Sequence, residues 1–90
     1  FTKALSIKPN YSAAESNLSG TYFKKKDYAK AKDYADKAIE HDKENSAAYT
    51  NRGMAKEMLR DLNGACEDWH KAKELGSETG KNYYAGNCAN

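Results

Sequence analysis

Ninety residues, 39% of them hydrophobic and 31% charged with a formal net charge of +2, make a chain large enough for one small domain and no more. Charge this close to balance gives no drive toward expansion, and no run of eighteen apolar residues exists to cross a membrane as a helix. Leu, Ile, Val and Phe total only nine, a share that in an ordinary sequence points to disorder, yet fourteen alanines favour helix and seven tyrosines with Trp69 supply large side chains to bury.

The chain opens inside an element. Phe1-Thr-Lys-Ala-Leu-Ser-Ile-Lys-Pro9 reads as the last turns of a helix stopped by proline, so the sequence is expected to be an excised fragment whose leader or anchor, if any, lies upstream. A second helix is predicted from Ser12 to about Lys25, opened by a Ser-x-x-Glu capping box of Ser12 and Glu15, with Ala14, Leu18 and Tyr22 on its inner stripe. Asp27 then caps a helix in which Tyr28, Ala31, Tyr34, Ala35, Ala38 and Ile39 keep the spacing of one apolar face, while Lys30, Lys32, Asp33, Asp36, Lys37 and Glu40 take the wet side. Ser46 opens the next helix and Asp61 caps the one after it, where Leu62, Ala65, Trp69, Ala72 and Leu75 form the stripe. Gly76 supplies a left-handed stop. The segment 77–90 reads as a final helix anchored by Tyr83 and Tyr84 and weakened by Gly80 and Gly86.

Residues 12–42 laid over 46–76 share nine identities in thirty-one pairs, among them Ser-Ala-Ala, Asn17 with Asn51, Asp27 with Asp61, Ala31 with Ala65 and Lys37-Ala38 with Lys71-Ala72. Background composition would give roughly two. The offset of thirty-four residues is that of a helix-turn-helix repeat, and the unit resembles the tetratricopeptide repeat. Ala31, Ala38, Gly53, Ala65 and Ala72 stand at that family's small positions, and Leu18, Tyr22, Tyr28, Ile39, Tyr49, Leu62, Trp69 and Leu75 at its filler positions. Glu15 replaces the usual aromatic, Ser19 the usual glycine, and Lys56 and Lys73 occupy positions normally apolar. The resemblance implies an all-α, right-handed superhelix of antiparallel helix pairs. It divides the chain into the end of a preceding repeat (1–11, with Pro9-Asn10 at the inter-repeat turn), a full repeat (12–45), a second (46–76) and a capping helix (77–90) like the closing unit of many bacterial members, with Asn90 near a true C-terminus.

Cys66 lies ten residues before the turn at Gly76 and Cys88 twelve after it, so two antiparallel helices would bring them level. One reading is a disulfide that clamps the last helix; the other is two reduced cysteines acting as small apolar side chains. A bridge implies a periplasmic or other extracytoplasmic space, and its absence the cytoplasm. Cys66 and His70 share a helix face with Cys88 nearby, the minimum for zinc, but only three ligands can be named and no metal site is assigned. No phosphate loop, nucleophile elbow or His-Glu-x-x-His pattern is present, and the carboxylates read as solvated helix surface, so no catalytic residue, cofactor or enzymatic activity is expected.

The Lys24-Lys25-Lys26 run beside Tyr22, Phe23 and Tyr28 resembles a basic, aromatic nucleic-acid surface. Tyr22 and Tyr28 stand at packing positions, however, and thirteen lysines against two arginines fit solvation better than phosphate recognition. What the repeat resemblance implies instead is a scaffold that holds a peptide or partner protein in a groove lined by the first helix of each pair. By position, that groove is Ala13, Ser16, Asn17, Gly20, Phe23 and Lys24, then Ala47, Thr50, Asn51, Met54, Glu57 and Met58, with Lys81 beyond. Asn17 and Asn51 can donate to and accept from an extended backbone, Phe23, Met54 and Met58 offer an adaptable apolar patch, and Lys24 and Lys81 can attract a carboxylate. Only Asn51 and Lys81 match the family's five-residue carboxylate clamp; Ser16, Gly20 and Ala85 fill the other places, so that subclass is not expected. The alternative role is a structural cap, or a homodimer formed through the cut end at Phe1 to Ile7.

Overall fold

The computed structural model describes residues 9–88, and within them the backbone forms five helices and no strand. They are α1 (Pro9–Lys24), α2 (Tyr28–His41), α3 (Ser46–Met58), α4 (Leu62–Glu74) and α5 (Glu78–Asn87). The pairs α1/α2 and α3/α4 are hairpins, α2 and α1 both pack on α3, and α5 closes over α4 and the edge of α3. The expected helix end at Phe1 to Ile7 lies outside the described residues.

The turns within the two hairpins are built alike. At the first, Asp27 N–H donates to the Tyr22 carbonyl at 2.9 Å and Lys26 N–H to Phe23 at 2.9 Å; at the second, Asp61 donates to Lys56 at 2.8 Å and Arg60 to Glu57 at 3.0 Å. Both are Schellman closures, and each needs a left-handed residue, supplied by Lys26 at φ 66° and Arg60 at φ 68°. The third closure uses Gly76 at φ 98°, as the sequence predicts. Asp27 and Asp61 then cap the next helices by accepting from Lys30 N–H and Gly64 N–H at 3.3 and 3.0 Å.

Two expected starts are corrected. The chain is already helical at Pro9, which an opening turn tolerates because proline's missing N–H has no partner there to lose. Ser12 is therefore inside α1 and forms no capping box: its hydroxyl donates to the Ala38 carbonyl at 2.8 Å, and Glu15 meets His41 Nδ1 at 2.6 Å. Asn45, not Ser46, caps α3, accepting from Ala48 N–H at 3.1 Å while its amide donates to Ser12 Oγ at 2.8 Å.

The inner stripe of α1 is also corrected. Ser12, Ser16 and Ser19 are buried, while Ala14 is exposed and Leu18 is 39% exposed. The reason is the close approach of α2, whose inward residues Ala31, Ala35 and Ala38 are all 0% exposed. Across that approach the hydroxyls of Ser12 and Ser19 reach carbonyls of the facing helix. Ser19 donates to the Ala31 carbonyl at 2.7 Å, and Leu18, about 100° round the helix, turns outward. Leu62 is likewise 46% exposed at the start of α4, whereas Tyr22, Tyr28, Ile39, Tyr49 and Leu75 are half-buried.

The two hairpins exchange volume at matching positions. In the second, Gly53 faces Trp69, which is 0% exposed; in the first, Ser19 and Ala35 stand at those places. A Cβ on Gly53 would lie 2.5 Å from the Trp69 ring nitrogen, so glycine is what admits the indole. The Trp69 N–H has no hydrogen-bond partner, a cost that the buried ring area offsets. Gly53→Ala is expected to destabilise by about 1–3 kcal/mol through overpacking. Arg60→Gly is expected to stabilise by roughly 0.5–1 kcal/mol, because glycine takes the left-handed conformation without penalty. Chemical denaturation read by helical circular dichroism checks both.

Candidate functional site

Because α1 touches α3 and α3 touches α5, the first helices of successive pairs stand side by side. The buried faces of α1 and α3 turn toward their second helices, so residues opposite them line the free side. There Ala13, Asn17, Lys24, Ala47 and Met58 are exposed, Gly20, Phe23, Met54 and Glu57 are half-buried, and Lys81 and Ala85 are exposed on α5. Met58 is 47% exposed, with Leu59 at 45% beside it. Phe23 packs against the Tyr28 ring with centroids 5.3 Å apart.

Three expected groove residues are placed differently. Thr50 is buried: its hydroxyl lies 3.0 Å from the Ser46 carbonyl and 3.2 Å from Ser77 Oγ, so α5 covers it. Ser16 is buried and its hydroxyl donates to the Ala13 carbonyl at 3.1 Å. Asn51 donates its amide to the Ser16 carbonyl at 3.0 Å, which ties α3 to α1 and takes up a donor that had been assigned to a ligand.

An ion-pair network, unforeseen in the sequence, sets how the hairpins meet. Arg52 on α3 donates through Nε and one terminal nitrogen to the two oxygens of Asp68 on α4, at 2.9 and 2.8 Å, and through the other to Asp36 on α2 at 2.9 Å. Lys56 adds a contact to Asp68 at 3.2 Å and Lys32 one to Asp36 at 3.3 Å, while the guanidinium lies over the Tyr49 ring at 5.5 Å. Asp68 is only 4% exposed. The hydrogen bond to Asp68 is the main reason that the Arg52 guanidinium binds its proton more tightly than usual, overcoming the opposing effect of burial; Asp36 adds to it. Asp36 is thus not a plain member of a wet face. A substitution Arg52→Leu should destabilise by about 3 kcal/mol, since Asp68 keeps only Lys56, and Arg52→Lys should cost less; urea unfolding measures both.

The basic run is partly engaged. Tyr22 stacks on Tyr34 at 5.4 Å with an interplanar angle of 3°, and Lys25 and Lys30 lie over its ring at 5.7 and 5.3 Å, which leaves little free aromatic face for a base. Cys66 and Cys88 are joined by a disulfide with Cα atoms 5.8 Å apart. Their sulfurs are therefore not thiolates that could join His70 on a metal, and among the described residues no cluster of three or more His, Cys, Asp or Glu side chains could hold one. No described helix is long and apolar enough to cross a membrane.

No family model matches the chain. It is 33% identical over 75 residues to RNA polymerase II-associated protein 3 of Xenopus tropicalis, an alignment covering 83% of this chain and 11% of that protein. It is 32% identical over 77 residues to stress-induced-phosphoprotein 1 of Caenorhabditis elegans, covering 86% and 24% respectively. Human tetratricopeptide repeat protein 6 is 32% identical over 60 residues, or 67% of this chain and 12% of that protein. The chain thus spans a quarter or less of each of these relatives.

Proposed function

Since this chain belongs to the tetratricopeptide-repeat proteins, we propose that it is a non-catalytic protein-interaction module that binds a peptide or partner protein on the face formed by α1, α3 and α5. The observation that carries this reading is the composition of the free side, where Met58 stays 47% exposed and Asn17, Lys24 and Lys81 are also exposed. A face that offers a flexible apolar side chain together with an amide and cations suits an extended segment with a Leu- or Met-like side chain and acidic residues. The name of the Xenopus relative speaks of association with RNA polymerase II, which supports a protein partner in kind without naming this chain's own.

The basis for binding is narrower than position alone implies. Thr50 and Ser16 are buried and one Asn51 donor is already bonded, so the face rests chiefly on Asn17, Phe23, Lys24, Met54, Glu57, Met58 and Lys81. A second reading is a cap that terminates a longer array, favoured by the way α5 covers Thr50 and Trp69. The disulfide fits an oxidising compartment.

Partner capture by the parent protein separates these readings. An Asn17→Ala/Met58→Glu double variant should weaken capture by about tenfold or more, while Lys37→Glu on the second-helix side leaves it unchanged. Equal capture by the double variant and the parent would move the binding surface elsewhere, and no partner at all would favour the cap.

A further inference from the structure

The last helix docks through a few ring contacts and one close helix approach, with a disulfide added. Among the residues of α5 only Gly80 is buried, set so close to α4 that a Cβ would lie 2.5 Å from that of Ala72. Tyr83 stacks on Trp69 at 5.0 Å and Tyr84 leans on His70 at 5.2 Å, but both tyrosines remain half-buried. At ten residues with two glycines, α5 is too short and too poor in helix formers to persist undocked. The disulfide joins its C-terminal cap, Cys88, to the middle of α4. Both cysteines are half-buried and line an open surface pocket with Asn63, Glu67, His70 and Tyr84, so a thiol can approach the sulfurs.

We propose that the Cys66–Cys88 bond is a redox latch on α5. A dithiol reductant attacks one sulfur as its thiolate and forms a mixed disulfide. That attack expels one cysteine as its thiolate; the second thiol of the reductant then closes a cyclic disulfide and releases the other, so that each cysteine gains one hydrogen that the reductant loses. Freed of the cross-link, α5 lifts from α4 and Trp69, Ala72 and Thr50 are uncovered. Lys81 rides on α5, so opening also removes it from the face formed with α1 and α3; that consequence rests on the interaction reading, whereas the latch does not.

Native-state amide hydrogen exchange on the full chain, oxidised and then reduced with a dithiol, tests the latch. Reduction is expected to lower protection in α5 by roughly a hundredfold, the scale set by closing a loop of this length, while α1 to α3 keep theirs and Trp69 emission shifts to the red. The double variant Cys66→Ala/Cys88→Ala should show the open pattern without responding to reductant. Unchanged α5 protection after reduction, or loss of protection throughout the chain, would overturn the proposal: the first makes the bond idle, the second makes it a staple for the whole fold.

Discussion

The separation of the helices within each hairpin is the constraint on which the rest of the structure depends. Ala31, Ala35 and Ala38 on α2, Ala65 and Ala72 on α4, and Ser12, Ser19 and Gly53 opposite them have almost no side chain to interpose, so the backbones come close. Close backbones bring hydroxyls within reach of facing carbonyls, as Ser12 and Ser19 show. They also leave few places for large residues, so each ring that enters needs a gap made for it, as Gly53 does for Trp69. A chain with only nine Leu, Ile, Val and Phe residues can fold this way because contact density comes from proximity more than from side-chain bulk.

Thin interiors of this kind cannot make a hairpin independent, and the polar bonds between hairpins show how the deficit is met. Asn45 joins the start of α3 to Ser12, Asn51 joins α3 to the Ser16 carbonyl, and Arg52 spans α2, α3 and α4 through Asp36 and Asp68. Charged and amide groups that a surface count assigns to solvent are here the ties that fix register between neighbours. The face available to a partner is shaped by what these ties leave over, which is why Asn17 and Met58 remain open and Asn51 does not.

Much of this was legible in the sequence, for stated physical reasons. The thirty-four-residue offset, the Asp27 and Asp61 caps, the Gly76 stop, the buried alanines and the level placement of Cys66 and Cys88 all depend on local chemistry or on spacing along a helix. The serine stripe of α1 was not legible, because hydrophobic periodicity scores Leu18 as inward and serine as outward, whereas a close helix crossing reverses both. Arg52 and Asp68 are sixteen residues apart on different helices, beyond any same-helix pairing rule, although an arginine where the other hairpin has Leu18 was a visible irregularity. Thr50 was placed by its position in the repeat, and only the docking of α5 removes it from the free face.

Cooperativity between the hairpins is the central claim, and urea unfolding read with two probes tests it most directly. Fluorescence of the sole tryptophan, Trp69, reports on the α3/α4/α5 end, and far-ultraviolet circular dichroism reports on all the helices. If neither hairpin has an interior of its own, the two transitions share one midpoint and one slope. Separate midpoints, with helix signal surviving after Trp69 has become exposed, would show that the first hairpin stands alone and would contradict the account.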